Sequence, residues 1–215
     1  MIRVLIADDH AVVRAGLKQI LAATDDISVC SEAATGSEAV AAVRATPFDV
    51  AVLDLSMPGR SGVDLIRQLK AEQPALRVLV LSAHQEDQYA VRTLKAGASG
   101  YLTKESAPEL LVAAIRKVAA GGAFISPEVA QQLALGVMPG GESSLHASLS
   151  DRELDVFLRL ASGESVSEIA ERLNLSVKTV STHKSRLLQK MNMTRDAELI
   201  RYAVEHNLVE GTRKP

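Results

Sequence analysis

Short β-branched and apolar runs alternate with segments of helical periodicity along residues 1–122, and this alternation limits the possible folds more than any other feature. Strands joined by crossover helices pair in parallel, and helices then cover both faces of the sheet. The sequence therefore predicts an α/β domain with a five-stranded parallel sheet. The strand-like runs are Arg3–Ala7, Ile27–Ala33, Asp49–Leu53, Arg77–Ser82 and Gly100–Thr103, and the helical segments are Val12–Ala23, Gly36–Ala45, Gly62–Gln73, Gln85–Ala96 and Pro108–Ala120.

The pattern changes after Gly121 and Gly122, which end the alternating region. Residues 126–135 predict one more short helix, and the Pro-Gly-Gly segment within Met138–Ser144 is typical of a mobile linker. From Leu149 onward the periodicity is helical throughout. We expect three parts: a domain of residues 1–122, a linker of residues 123–148 that contains the short helix, and a second domain of residues 149–215.

The second part carries signals for the starts of four helices. Ser150 and Ser165 are each followed three residues later by a glutamate, which is the pattern of a capping box. Ser176 and Thr194 are suitable N-caps, because a side-chain oxygen there accepts a hydrogen bond from a free backbone N–H. A small all-α domain is therefore expected.

Composition excludes several classes of protein. Apolar residues make up 47% of the chain and charged residues 23%, which is normal for a globular protein. No apolar run reaches the roughly 18 residues of a membrane span, and the N-terminus lacks a signal peptide's apolar stretch, so we expect a cytoplasmic protein that does not bind membranes. The single cysteine, Cys30, excludes an internal disulfide, and its apolar-alternating surroundings predict burial.

The net charge of −2 argues by itself against binding to nucleic acid. The distribution of charge argues for it, because the segment from Ser176 to Arg195 holds five basic residues and no acidic one. Local charge decides which surface a polyanion can approach. This segment is therefore a candidate for contact with DNA.

Acidic and basic residues follow the predicted strands of the first domain. Asp8 and Asp9 follow the first strand, Asp54 the third, Ser82 ends the fourth and Lys104 follows the fifth. The carboxyl ends of parallel strands meet at one edge, so these side chains should converge. Clustered carboxylates favour Mg²⁺, and a carboxylate can attack phosphorus while a cation, a lysine and a hydroxyl neutralise the phosphoryl oxygens. The pattern indicates phosphoryl transfer.

Four segments resemble the motifs of response-regulator receiver domains: Asp8-Asp9, Leu53–Gly59, Leu81–Ala83 and Gly100–Lys104. The resemblance spans residues 1–122 and implies a flavodoxin-like, doubly wound sheet. It implies that Asp54 is the phosphoacceptor and that Tyr101 is the aromatic switch residue. By position it also implies a site for Mg²⁺ or Mn²⁺. Asp9 and Asp54 would bind the ion directly, Asp8 through water, and Ser56 through its backbone carbonyl. Ser82 and Lys104 would contact the phosphoryl group.

Residues 164–180 predict a helix, a tight turn and a second helix. The apolar stripe of the second helix contains Val180, Leu187, Leu188 and Met191. The opposite face is polar and free of acids, which suits the major groove of DNA; its residues are Lys178, Ser181, Thr182, Ser185 and Gln189. Lys184 falls on the apolar stripe, and either a DNA phosphate or a local acid could be its partner.

This second half resembles the effector domains of the NarL/FixJ and LuxR regulators, through Ser150-x-x-Glu153, Glu168-Ile-Ala and Lys178–His183. The resemblance implies base contacts from Ser181, Thr182 and Ser185, and phosphate contacts from Lys178 and Thr179. We also expect Arg186 to contact DNA. The last helix, Arg195–His206, is expected to pack on its own domain at one edge and to dimerise at the other.

Together the two resemblances imply a transcriptional regulator of a bacterial two-component system. A sensor histidine kinase would phosphorylate Asp54, and the phosphorylated homodimer would bind double-stranded DNA. Such a protein is not an enzyme beyond its own phosphoryl transfer and autodephosphorylation. A regulator of the same fold that binds DNA without phosphorylation remains an alternative.

Two other classes of protein fit the residues of the first domain less well. A haloacid-dehalogenase-type enzyme places a second aspartate two residues after its nucleophile, where this chain has Ser56. A flavin-binding electron carrier needs aromatic residues, which make up 3% of this chain, and would place phosphate where Asp8 lies. His10 either adds a metal ligand or starts a helix facing solvent, and His84 either affects the lifetime of the phosphoryl group or is an exposed loop residue.

Overall fold

The computed structural model describes residues 1–55, 57, 62–82, 87–127, 129–131, 145–173, 175–206 and 208–209. The chain divides into two compact units, Met1–Val137 and Met138–Pro215, and each is described by itself. The predicted site residue Ser56, the loop residue His84 and the predicted linker Met138–Ser144 lie outside the described residues.

The first unit contains a five-stranded parallel sheet in the order β2-β1-β3-β4-β5. A helix follows each strand, as the alternating pattern predicted, and the observed ends of most elements lie within about two residues of the predicted ones. The elements are β1 Ile2–Ala7, α1 Ala11–Ala22, β2 Ile27–Ala33, α2 Gly36–Ala45, β3 Val50–Asp54, α3 Gly62–Glu72, β4 Arg77–Ser82, α4 Asp87–Lys95, β5 Gly100–Thr103 and α5 Ala107–Ala119.

Strands β3 and β4 form the centre of the sheet and are buried almost throughout. Helices cover both faces of such a sheet, so its central strands need apolar residues at consecutive positions. This requirement explains the unbroken apolar runs in the sequence. It also places Asp54, the last residue of β3, at the edge of the core with 1% of its surface exposed.

The predicted burial of Cys30 is wrong, because the thiol is exposed. Strand β2 lies at the edge of the sheet and pairs with β1 alone. Val4 lies opposite Val29 but Leu5 lies opposite Ser31, so Cys30 is the extra residue of a β-bulge. A bulge interrupts the alternation of inward and outward side chains, which is the pattern on which the prediction depended.

The register of the sheet brings the ends of four strands together. Ala7 lies opposite Leu53, Asp54 opposite Leu81, and Ser82 opposite Thr103. The residues that follow β1 and β5 therefore emerge at the edge where β3 and β4 end. Beyond α5, Pro127 and residues 129–131 are helical, which agrees with the start of the predicted helix over residues 126–135.

The described residues of the second unit form a 3₁₀ turn at Leu145–Ser148 and four helices: α6 Asp151–Ala161, α7 Val166–Arg172, α8 Val177–Lys190 and α9 Asp196–Glu205. Both predicted capping boxes are present, with Ser150 paired to Glu153 and Ser165 to Glu168. Ser176 caps α8 by accepting from the Thr179 backbone N–H.

The prediction of Thr194 as an N-cap is wrong. Helix α9 begins at Asp196, with Arg195 at the N-cap position. The Glu198 carboxylate accepts from the backbone N–H groups of Thr194 and Arg195, at 2.6 and 3.0 Å. The Thr194 hydroxyl also donates to this carboxylate, at 3.3 Å, so Glu198 accepts from the groups that precede the helix.

The core of the second unit forms where α6, α8 and α9 pack together. Phe157, Val180, Leu187, Leu199 and Ala203 are fully buried there. None of the helices in the described part of the chain combines the length and the apolar character that a membrane-spanning helix requires.

Candidate functional site

Three carboxylates converge at the carboxyl edge of the sheet. Asp8 follows β1 and Asp54 ends β3, and each is 1% exposed, whereas Asp9 is partly exposed. Each of these residues and His10 offers a ligand atom, and the four atoms lie within 4.8 Å of one another. The structure therefore assembles the acidic cluster that strand order predicted.

Lys104 joins two of these carboxylates. Its Nζ lies 2.8 Å from Asp8 Oδ2 and 3.0 Å from Asp54 Oδ2, and its backbone N–H donates to the Ser82 carbonyl at 2.7 Å. Burial lowers the pKa of the Lys104 ammonium, but the charges and hydrogen bonds of Asp54 and Asp8 outweigh it and the pKa is raised. The lysine is therefore a fixed positive charge beside the candidate phosphoacceptor.

Ser82 ends β4, which pairs with β3, and Tyr101 lies on β5, which pairs with β4. Ser82 is 1% exposed at the end of β4, and Tyr101 is 7% exposed on β5. Tyr101 lies opposite Val80, two residues before Ser82 on the neighbouring strand. Tyr101 is therefore paired with the strand that ends at Ser82.

His10 lies at the N-cap position of α1 and is exposed, as the solvent-facing alternative predicted. Its ring nevertheless contacts the cluster, because Nδ1 lies 2.8 Å from Asp9 Oδ1 and 3.2 Å from Asp8 Oδ1. Its backbone N–H also donates to Asp8 Oδ1 at 2.7 Å. His10 therefore precedes the helix with its side chain exposed and also borders the acidic site, so the two alternatives for this residue do not exclude each other.

The donor set fits a hard divalent cation. Asp8 Oδ2 and Asp9 Oδ1 are buried oxygens, and the Lys104 ammonium that lies beside Asp8 is shared with Asp54. Buried carboxylates without sufficient donors are costly unless a positive charge compensates for them. Carboxylate oxygens are the ligands that Mg²⁺ prefers, so Asp8, Asp9 and Asp54 are suited to hold it.

A polar face on α8 forms the second candidate site. Val180 and Leu187 are buried on one side of the helix, and the residues predicted to contact bases are all exposed on the other. Thr179 is half-buried at the first turn. The exposed members of the predicted DNA-contacting set are Lys178, Ser181, Thr182, Ser185 and Arg186.

The partner of Lys184, which the sequence left open, is a local acid. Its Nζ lies 2.5 Å from Asp196 Oδ2, at the start of α9. An ammonium held by a carboxylate is less available to a DNA phosphate. Lys184 therefore differs from Lys178, although both belong to the same acid-free segment.

Sequence reasoning missed the contact that fastens α8 to α6. The Lys190 Nζ lies 2.6 Å from Glu153 Oε2, and Glu153 is also the glutamate of the first capping box. Burial raises the pKa of the Glu153 carboxyl, but Lys190 and Ser150 outweigh this effect and the pKa is lowered. The capping-box pattern singles out Glu153 in the sequence, but this local pattern does not indicate that Lys190, 37 residues away, is its partner.

Helix α9 has one buried and one exposed apolar edge. Leu199 and Ala203 are fully buried, whereas Ile200 is 41% and Val204 is 44% exposed. The sequence predicted that one edge of this helix packs on its own domain and that the other dimerises, and Ile200 and Val204 form the edge that stays exposed.

Comparison with known proteins covers both units. Residues 4–116 match the family described as "Response regulator receiver domain", and residues 147–203 match "Bacterial regulatory proteins, luxR family". Response regulator UvrY of Escherichia coli (strain K12) is 41% identical over 209 residues, which are 97% of this chain and 96% of that protein. Response regulator GacA of Pseudomonas aeruginosa is 40% identical over 212 residues, covering 98% of this chain and 99% of that protein.

The chain is also similar to a solved structure. RcsB from Salmonella enterica serovar Typhimurium, bound to promoter rprA in the presence of the phosphomimetic BeF₃⁻, is 27% identical to this chain. The match covers 94% of this chain and 97% of that one, with a TM-score of 0.67.

Proposed function

Because the chain belongs to the NarL/FixJ response regulators, which join a receiver domain to a LuxR-type DNA-binding domain, we propose that Asp54 is its phosphoacceptor and that α8 is its DNA-reading helix. Members of this family are two-component regulators that bind DNA in a phosphorylation-dependent manner. The observation that carries the proposal for Asp54 is the Lys104 ammonium between Asp54 and Asp8, at 3.0 and 2.8 Å.

In the proposed reaction a carboxylate oxygen of Asp54 attacks the phosphorus of a kinase phosphohistidine or of a small acyl phosphate. The new P–O bond makes an acyl phosphate on Asp54, while the bond to the donor breaks and its electron pair leaves with the donor. Lys104 and the Ser82 hydroxyl neutralise charge on the phosphoryl oxygens. The raised pKa of Lys104 keeps the ammonium charged for this task.

Asp9 and Asp54 are proposed to hold Mg²⁺ or Mn²⁺ directly, Asp8 to do so through water, and Ser56 to contribute its carbonyl. When bound, the cation offsets the repulsion among the carboxylates and the incoming phosphoryl group. The close approach of the ligand atoms of Asp8, Asp9 and Asp54 supports this assignment.

The proposed switch runs from Ser82 to Tyr101. An attraction between the Ser82 hydroxyl and the phosphoryl group would draw the end of β4 inward, and Tyr101 would follow on the paired strand β5. The surface near α4 and β5 would then differ between the two states. A partner surface that fits one of them better shifts the population toward it, here toward dimers.

On DNA, Lys178 and Thr179 are proposed to contact phosphates, and Ser181, Thr182 and Ser185 to contact base edges, with Arg186 beside them. Two protomers would occupy half-sites about one helical turn apart. The exposed Ile200 and Val204 on α9 support pairing of the DNA-binding units through that edge. Both partners, the kinase's phosphohistidine domain and the DNA, are in the cytoplasm, so we place the protein there.

The decisive experiment is labelling of the full chain with acetyl phosphate and Mg²⁺, resolved on a phosphate-affinity gel. The wild type should give a shifted band, and Asp54→Asn should give none. The matched control is Asp64→Asn on α3, because that carboxylate is 71% exposed and outside the cluster. Undiminished labelling of Asp54→Asn would contradict the assignment, whereas a wild type that takes no label would favour the phosphorylation-independent alternative.

A further inference from the structure

Arg14 on α1 lies beside the loop that carries Asp8 and Asp9. Its Nη1 donates to the backbone carbonyl of Asp8 at 2.7 Å, and its Nε lies 3.4 Å from Glu32 Oε2 on β2. The side chain is 18% exposed, so most of the guanidinium and its stem are shielded from water. Sequence analysis did not single out this residue.

The carbonyl that Arg14 holds belongs to the peptide group that joins Asp8 to Asp9. The Asp8 N–H donates to Ala33 on β2 at 3.1 Å, and β1 ends one residue earlier, at Ala7. Beyond Asp8 the strand ladder no longer orients the backbone. Because a peptide group is planar, fixing this carbonyl also fixes the direction in which the chain enters Asp9.

Glu32 anchors the other side of the guanidinium. Lys18, one turn further along α1, contacts the same carboxylate at 2.6 Å. The hydrogen bond from Lys18 is the largest cause of the lowered pKa of Glu32, and Arg14 contributes as well. Lys18 therefore shares the helix, the charge and the partner of Arg14. Lys18 donates to Glu32, whereas Arg14 also reaches the Asp8 carbonyl.

We infer that Arg14 is a positioning residue of the cation site: by holding the Asp8–Asp9 peptide, it orients the Asp9 carboxylate toward the bound ion. The inference depends on the proposed function, since it takes Asp9 to be a ligand. Arg14 acts through the backbone and contacts neither the ion nor the phosphoryl group.

Charge and geometry give opposite expectations for the loss of Arg14. A guanidinium near a cation site repels the ion, so removing its charge alone would tighten the binding of Mg²⁺. Removing support from a ligand weakens binding, because groups that orient metal ligands contribute to metal affinity. The direction of the change in affinity therefore distinguishes a positioning role from a purely electrostatic one.

Calorimetric titration of the full-length protein with Mn²⁺, without a phosphoryl donor, measures this directly. Arg14→Gln should weaken Mn²⁺ binding about tenfold, the lower end of the range for such supporting residues. Lys18→Gln, the matched control, should bind within about twofold of the wild type or slightly more tightly, because an exposed surface pair contributes little. Binding by Arg14→Gln as tight as the wild type or tighter would overturn the inference.

Arg14→Lys keeps the charge but loses the forked guanidinium, so it should also weaken Mn²⁺ binding. If circular dichroism shows that Arg14→Gln does not fold, this variant carries the test, and wild-type affinity in Arg14→Lys would overturn the inference. Asp9→Asn distinguishes the proposed ligand set from the proposed role of Arg14. If Asp9→Asn binds Mn²⁺ as tightly as the wild type, the proposed ligand set is wrong. If Asp9→Asn binds more weakly but the Arg14 variants bind like the wild type, only the role of Arg14 is wrong.

Phosphorylation by acetyl phosphate over a series of Mg²⁺ concentrations gives the second readout. Arg14→Gln should need about tenfold more Mg²⁺ for half-maximal labelling and should reach nearly the wild-type rate at saturation. A residue that only maintained the fold would lower the rate at every Mg²⁺ concentration. A lower saturating rate with an unchanged midpoint would therefore overturn the inference.

Discussion

The acidic cleft of the first unit and the polar face of α8 differ in how their residues are brought together. Asp8, Asp54, Ser82 and Lys104 come from four strands, and all but the lysine are 1% exposed. The residues of the α8 face come from three turns of one helix and are mostly exposed. The first site therefore depends on the sheet, and the second depends on helical periodicity.

This difference has energetic consequences. A buried charge that loses its partner is strongly destabilising, whereas a surface charge contributes little to folding. Changes in the cleft should thus affect stability and function together, while changes on α8 should affect DNA binding with little effect on stability.

The largest expected effect is on the cleft. Lys104→Ala leaves two buried carboxylates without their ammonium, so the first unit should lose about 3 kcal/mol of unfolding free energy in chelator, and Mg²⁺ should restore part of it. Urea unfolding of the full chain, followed by far-ultraviolet circular dichroism, measures this. The control is Lys18→Ala, whose partner Glu32 is partly exposed and whose loss should cost under about 1 kcal/mol. Equal losses in the two variants would contradict the difference drawn between buried and exposed sites.

A smaller effect is expected where α8 is fastened to α6. The pKa of Glu153 is lowered in the folded state, so its contribution to stability is present above the unfolded pKa, near 4.5, and is lost as pH falls through the lower folded pKa. Glu153→Gln should destabilise the second unit by about 1–2 kcal/mol at pH 7 and should flatten this acid dependence.

The comparison for Glu153 is Glu168→Gln, which removes the exposed carboxylate of the other capping box. Thermal unfolding from about pH 7 down to about pH 2, which extends toward the lowered pKa values of both carboxyls, measures the two variants. If Glu168→Gln destabilises the unit as much as Glu153→Gln does, the Lys190 contact contributes nothing.

Effects on DNA affinity without a change in stability are expected on the exposed face. Lys178→Ala should weaken specific and random DNA equally and lower the salt slope by about one, because one phosphate contact is lost. Lys184→Ala is the matched control, since Asp196 already holds that ammonium. Fluorescence anisotropy at several salt concentrations measures the slopes, and equal slopes for the two variants would refute the assignment of Lys178 to phosphate.

The smallest expected effect concerns base preference. Thr182→Ala and Ser185→Ala should each change discrimination among sites by about 1 kcal/mol, at the low end for a side chain that reads a base edge. The hydroxyls donate within α8, to Lys178 O and Ser181 O, so each variant keeps the helix and loses an exposed oxygen. Sequencing of selected DNA pools measures the preference, and an unchanged consensus in both variants would contradict base readout from this face.

The sequence predicted the sheet well because β3 and β4 are apolar at consecutive positions, and strand order alone implied that Asp54 and Lys104 would meet. It also predicted the caps at Ser150 and Ser165, since capping boxes are local. The roles of Asp54, Ser82 and Tyr101 came from resemblance to a family, since periodicity cannot assign them.

The sequence failed where a residue depends on something distant or on a local irregularity. Lys184 had no assignable partner because Asp196 belongs to the next helix. The N-cap prediction at Thr194 failed because α9 begins at Asp196, one residue later than a cap at Thr194 requires. Arg14 was overlooked because it contacts the backbone carbonyl of Asp8, and no local motif such as a capping box marks that contact.

The chain has a single cysteine, and the bulge at Cys30 exposes that thiol to solvent. A maleimide fluorophore or spin label would react there without any substitution, on the edge strand β2 and two strands from the one that ends at Asp54. The same exposure allows two molecules to form a disulfide under air, which would imitate a dimer in sedimentation. Measurements of assembly on this protein therefore call for a reductant, and measurements of motion in the receiver have a ready attachment point.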